Sequence, residues 1–89
     1  MHTYLLFDSI HQVMKAESLL KTAGIDTDLV PVPKEISSDC GMCVAFRQND
    51  LQLIMAALSH HPFSCTVRIY RRAAPQGYNL IADLPPASS

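Results

Sequence analysis

The apolar positions of this chain alternate, then recur at helical spacing, then alternate again, and each change of period marks an element. Thr3–Phe7 is a short β-branched and aromatic run, which predicts a buried strand. Ser9, followed three residues later by Gln12, has the spacing of a capping box. Beyond it Ile10, Val13, Met14, Leu20 and Ala23, with Ala16 beside them, fall on one helical face. Gly24 is the expected left-handed stop, so the spacing predicts a helix over 9–23. Asp28–Val32 reads as a second strand, placed at a sheet edge because Pro31 has no N–H to donate. Met42–Phe46 alternates again, with Met42, Val44 and Phe46 on one face and Cys43 and Ala45 on the other. After Asn49, a good cap, the residues Leu51, Ile54, Met55 and Leu58 mark a second helix over 50–60, which Pro62 ends. Cys65, Val67 and Ile69 then alternate with Thr66, Arg68 and Tyr70 in a fourth strand.

The order is βαββαβ. Two right-handed strand–helix–strand units of this kind close into a ferredoxin-like α/β sandwich, an α+β fold with a four-stranded antiparallel sheet and both helices on one face. Its core should contain Leu5, Phe7, Val13, Leu20, Val44, Ile54, Leu58 and Val67. Its other face should stand open, lined by Tyr4, Leu6, Cys43, Ala45 and Tyr70. The domain is expected over 1–72. Residues 73–89 form a C-terminal extension in which Ala-Ala-Pro-Gln-Gly reads as a linker-like break and Asn79–Leu84 as a short additional element.

One stretch fits neither period. From Pro31 to Gly41 the chain is polar and punctuated by Pro31 and Pro33, and it carries Cys40 at its end. A thiol in such a loop is expected near water, with Gly41 allowing another molecule close to the backbone. Lys34 favours the thiolate and Asp39 opposes it. Cys40 and Cys43 are spaced as a Cys-x-x-Cys pair, yet a strand follows rather than the helix start that activates redox pairs. The plainer reading makes Cys43 a small residue on the sheet face. Cys65, by its alternation, belongs in the core.

Composition narrows the partners. The 89 residues are 48% hydrophobic and 17% charged, with a net charge of −1, so one folded domain follows and no electrostatic bias toward nucleic acid or an anionic membrane. No apolar run approaches the roughly 20 residues of a membrane helix. No secretion signal is read at the N-terminus, so a cytoplasmic setting is expected. Three cysteines, an odd number, favour free thiols, redox chemistry or metal over a disulfide framework. A metal site on Cys40 and Cys43 would need His60 and His61 to complete it, and therefore a second helix that ends beside the loop. Arg68, Arg71 and Arg72 around Tyr70 suggest a small anion site, or simply a solvated strand end.

The run Tyr-Leu-Leu-Phe-Asp-Ser-Ile-His-Gln-Val-Met-Lys-Ala-Glu, then Ala-Gly-Ile, then Pro-Val-Pro-Lys-Glu-Ile-Ser-Ser-Asp-Cys-Gly, resembles a family of small bacterial selenium/sulfur carrier-like domains, over about residues 3 to 71. Pro31, Pro33, Glu35, Ser37, Ser38, Cys40 and Gly41 match its motif in order. The resemblance implies that Cys40 holds a sulfur or selenium atom as a persulfide or selenosulfide. Pro33, Lys34, Ser37, Ser38, Gly41 and Cys43 are the candidate binding residues around it. A carrier of this kind is not an enzyme with its own turnover and implies no cofactor and no resident metal. Its expected partners are a cysteine desulfurase-like donor and an acceptor protein. A homodimer is also expected, through the open sheet face or by exchange of the tail. The alternative functions are a ligand-sensing or protein-interaction module and a metal-binding domain using Cys40 and Cys43.

Overall fold

A computed structural model describes residues 2–36, 41–61, 63 and 65–86. Strands β1 (Thr3–Leu6), β2 (Thr27–Pro31), β3 (Met42–Phe46), β4 (Val67–Arg72) and β5 (Tyr78–Leu84) form one antiparallel sheet in the order β2-β3-β1-β4-β5. Helices α1 (Ile10–Thr22) and α2 (Leu51–His60) complete the fold. The expected sheet had four strands, and the observed one has five. The fifth arises because the chain reverses after Arg72, with the Ala73 amide donating to the Gly77 carbonyl at 2.9 Å, and runs back along β4. Ala-Ala-Pro-Gln-Gly is thus a hairpin turn, with Gly77 at φ +96° supplying the left-handed position such a reversal uses. As Pro31 requires, β2 lies at an edge.

Strand alternation divides the sheet into two faces. Leu5, Val44, Phe46, Val67 and Ile69 join Val13, Ala16, Leu20, Ile54 and Leu58 in a single buried cluster, so both helices cover the same face. Burying each of these larger side chains stabilises by roughly 1.5–3 kcal/mol. Of the expected core only Phe7 is partly exposed. It packs at the margin against Phe63, with ring centroids 5.1 Å apart.

Two local readings need correction. The spacing puts Ile10, Met14 and Ala23 in the apolar stripe of α1, but Ile10 and Met14 are 56% and 49% exposed, Ala23 is exposed at the C-cap, and the buried stripe is Val13, Ala16 and Leu20. Only a narrow arc of α1 meets the sheet, and the wider arc that spacing allows reaches solvent. The capping box is also half made. The Gln12 amide donates to Ser9 Oγ at 3.4 Å, but Gln12 Oε1 is buried without a partner among the described residues. At the other end of α1, Gly24 takes φ +80° as expected. Before α2 a single 3-10 turn, Gln48–Asp50, replaces a side-chain cap on Asn49.

The second sheet face is less open than alternation suggests. Tyr4, Cys43 and Ala45 do lie on it, yet all three are buried, and Leu6, Val30, Val32 and Tyr78 pack around them. Tyr78 comes from β5, the strand absent from the expectation, and meets Tyr4 edge to face at 5.7 Å. No helix among the described residues is long and apolar enough to cross a membrane.

Candidate functional site

The loop that interrupts the sequence pattern leaves the sheet through a closed neck. Pro31 pairs with Met42 at the end of the β2–β3 ladder, and the Val32 amide then donates to the Gly41 carbonyl at 2.9 Å. One residue further, the Ile36 amide donates to the Pro33 carbonyl at 3.0 Å, closing a tight turn with Lys34 and Glu35 at its centre. Lys34 and Glu35 occupy the exposed tip of that turn, while Pro33 and Ile36 are half-buried. Ser37, Ser38 and Cys40, three of the expected site residues, lie outside the described residues.

Ile36 and Gly41, which bracket that segment, line one side of a cleft of about 560 Å³. The antiparallel topology brings three further segments to the same end of the sheet: the end of β1 at Leu6, the start of α1 at Ser9 and Ile10, and the start of β4 with Arg68 and Tyr70. Leu6 is paired with Arg68 across the ladder, so the guanidinium and the Tyr70 ring rise from the same face two positions apart. Among the described residues, a Cβ added at Gly41 would meet only Val32 Cγ2, at the ordinary distance of 3.9 Å, so their packing does not demand glycine there.

The sequence gives Lys34 the role of nearby cation and groups Arg68 with Arg71 and Arg72 rather than with the loop. Lys34 sits on the outer turn, whereas Arg68 lines the cleft itself. The signal was present in the alternation of β4, which sets Arg68 and Tyr70 on the face of Leu6. Among the described residues Asp8 is the acid that lines the cleft, so the charge they present there is mixed. The expected cluster of Arg68, Arg71 and Arg72 does not form. Arg71 and Arg72 line a different cleft at the far end of the strand.

The two described cysteines are both buried. Cys43 is fully enclosed on the second sheet face, and its Sγ reaches toward the Pro31 carbonyl at 4.0 Å. Burial pushes its thiol up from 9.0 to about 11, because the enclosure stabilises the neutral form over the thiolate. Tyr4 beside it is raised as well, first by burial and then by the nearby Tyr78. Cys65 packs in the main core at 8% exposure, as its alternation predicts.

Both α2 and the β2–β3 loop end at this edge of the sheet, since the ring of Phe7, which lines the cleft, touches that of Phe63 just past α2. His60 and His61 nonetheless line a separate groove with Lys15 and Leu19. No cluster of three or more potential metal ligands occurs among the described residues.

The family described as "Putative Se/S carrier protein-like" matches the chain over residues 2–66. No curated protein and no solved structure matches it.

Proposed function

Because the chain belongs to the Se/S carrier protein-like family, we propose that it carries one sulfur or selenium atom on Cys40, at the cleft that opens beside Gly41. The observation that supports this most is the burial of the other two thiols. Cys43 is enclosed and protonated, and Cys65 lies in the core, which leaves Cys40 as the cysteine for exchange with a partner. Gly41, the residue that follows Cys40 in the sequence, lines that cleft.

The chemistry is thiol exchange. The Cys40 thiolate attacks the terminal sulfur of a donor persulfide, the donor's S–S bond breaks, and the donor leaves as a thiolate. Cys40 then holds the persulfide, whose terminal atom carries the negative charge. Delivery is the same displacement with an acceptor nucleophile attacking that terminal atom. No net oxidant is consumed, because the transferred sulfur arrives already oxidised by the donor. Arg68 supplies a positive charge to steady the anionic terminal atom, with the Ser37 and Ser38 hydroxyls as further donors. The role is stoichiometric carriage without turnover of its own.

The ferredoxin-like βαββαβ part of the sheet, β1 to β4 with both helices, serves as the rigid frame for this loop, and β5 extends it. A cysteine desulfurase-like donor would dock beside the cleft, where the exposed pair Ile10 and Met14 offers apolar contact one helical turn apart. Incubation with a cysteine desulfurase and cysteine, followed by intact-mass measurement, tests the proposal through the gain of one sulfur mass.

A further inference from the structure

A second cleft, of about 720 Å³, opens at the other end of β1, where His2 and Thr3 begin the strand. Three of the four arginines of the chain line it: Arg47 from the turn after β3, and Arg71 and Arg72 from the end of β4. They reach one place because Thr3 pairs with both Phe46 and Arg71, so the residues just beyond β3 and those ending β4 flank the same point of β1. The Arg72 amide fixes this edge by donating to the His2 carbonyl at 2.8 Å. Among the described residues no carboxylate lines it. The nearby acids are Asp26, an exposed partner of Arg47 at 3.7 Å, and Asp50, one residue beyond Asn49. An exposed pair of that length holds Arg47 only weakly.

We infer that this cleft is a binding site for a phosphate oxyanion, of the size and charge of a diphosphate group on a small molecule. Arg47, Arg71 and Arg72 line the cleft, with Arg71 and Arg72 on opposite faces at the end of β4, so a diphosphate, which can span two guanidiniums, is matched better than a single phosphate. The planar fork of each guanidinium suits bidentate contact with phosphate oxygens. Gln48 adds to the donor set in an ordered way. The hydroxyl of Thr3, which is fully buried, donates to Gln48 Oε1 at 3.1 Å. With its oxygen engaged, the Gln48 side chain has N–H donors to offer the cleft. In a chain with a net charge of −1, collecting three arginines in one cleft without a lining acid opposes self-repulsion, and a bound anion relieves it. The cleft lies at the opposite end of β1 from Gly41, so this site is independent of the carrier cleft.

The test is titration of the full chain with inorganic phosphate, pyrophosphate and a short single-stranded RNA, followed by amide chemical shifts and calorimetry. Pyrophosphate is expected to saturate, to bind at least tenfold tighter than phosphate, and to shift the amides of Thr3, Gln48 and Ala73. The double variant R47Q/R71Q should weaken it tenfold or more, whereas R68Q, at the other cleft, should leave it unchanged. All these arginines are exposed, so the variants keep the fold, which the remaining amide shifts report. Absence of saturable pyrophosphate binding at millimolar concentration would overturn the proposal. So would unchanged binding in R47Q/R71Q, loss of binding in R68Q, or tight RNA binding without pyrophosphate binding.

Discussion

Cys43 offers a prediction in which burial, ionisation and stability are tied together. Its thiol ionises at about 11 in the folded chain against 9.0 for a thiol in water. The sign follows from proton counting. Between these two values the unfolded chain has lost the proton and the folded chain keeps it, so the unfolded state binds fewer protons and stability falls as pH rises. Below pH 9 the contribution is fully present. A two-unit difference corresponds to about 2.7 kcal/mol once pH exceeds 11, and about 2 kcal/mol is already lost by pH 10.5. The quantity to measure is the difference between wild type and Cys43→Ala, in which the contributions of all other groups cancel. Urea unfolding of both proteins at pH 7.5, 9.0 and 10.5 gives that difference. The advantage of the wild type should shrink by about 2 kcal/mol between the first and last pH. A difference that stays constant across the window would mean that Cys43 is solvated and ionises like a free thiol. The reading of Cys40 as the one exchangeable cysteine would then lose its main support.

Other outcomes follow from the packing. Phe46 is fully buried between sheet and helices, and Phe46→Ala should cost about 3–5 kcal/mol in urea unfolding. Gly24→Ala should cost about 1–2 kcal/mol, because φ +80° strains any L side chain even though nothing stands within 4 Å of the new methyl. Ile10→Asp with Met14→Asp should leave stability within about 0.5 kcal/mol, since both residues are exposed, but slow sulfur transfer from a desulfurase several-fold. Slowed transfer with a small-molecule persulfide as well would point to the thiol itself rather than to donor docking.

Much of the scaffold was legible because alternation and helical spacing report burial directly. Val44, Phe46, Val67 and Ile69 alternate into the helix-covered face, and Ile54 and Leu58 repeat at i, i+4. The fifth strand was harder to read. Pro75 and Gly77 serve equally well in a linker and in a hairpin, and only the pairing of Tyr78–Leu84 with β4 decides between them. The same pairing explains why the second face is covered, since Tyr78 closes over Tyr4. Ile10 and Met14 were misread because periodicity fixes the direction of a stripe and not its width. At the candidate site, the sequence identified the loop through its prolines and its break in period. It named Arg68 as an anion-site candidate but not its place beside the loop, which depends on the β1–β4 register, nor its separation from Arg71 and Arg72. Four residues of strand carry Arg68 and Arg72 roughly 13 Å apart, to opposite ends of the sheet.

The central claim concerns one thiol, and intact-mass measurement addresses it directly. Wild type, Cys40→Ser, Cys43→Ser and Cys65→Ser are each incubated with a cysteine desulfurase and cysteine, then weighed without reductant. The account predicts one added sulfur mass, removable by reductant, on the wild type and on the Cys43 and Cys65 variants, and none on Cys40→Ser. Loading of Cys40→Ser to the level of the wild type would contradict it.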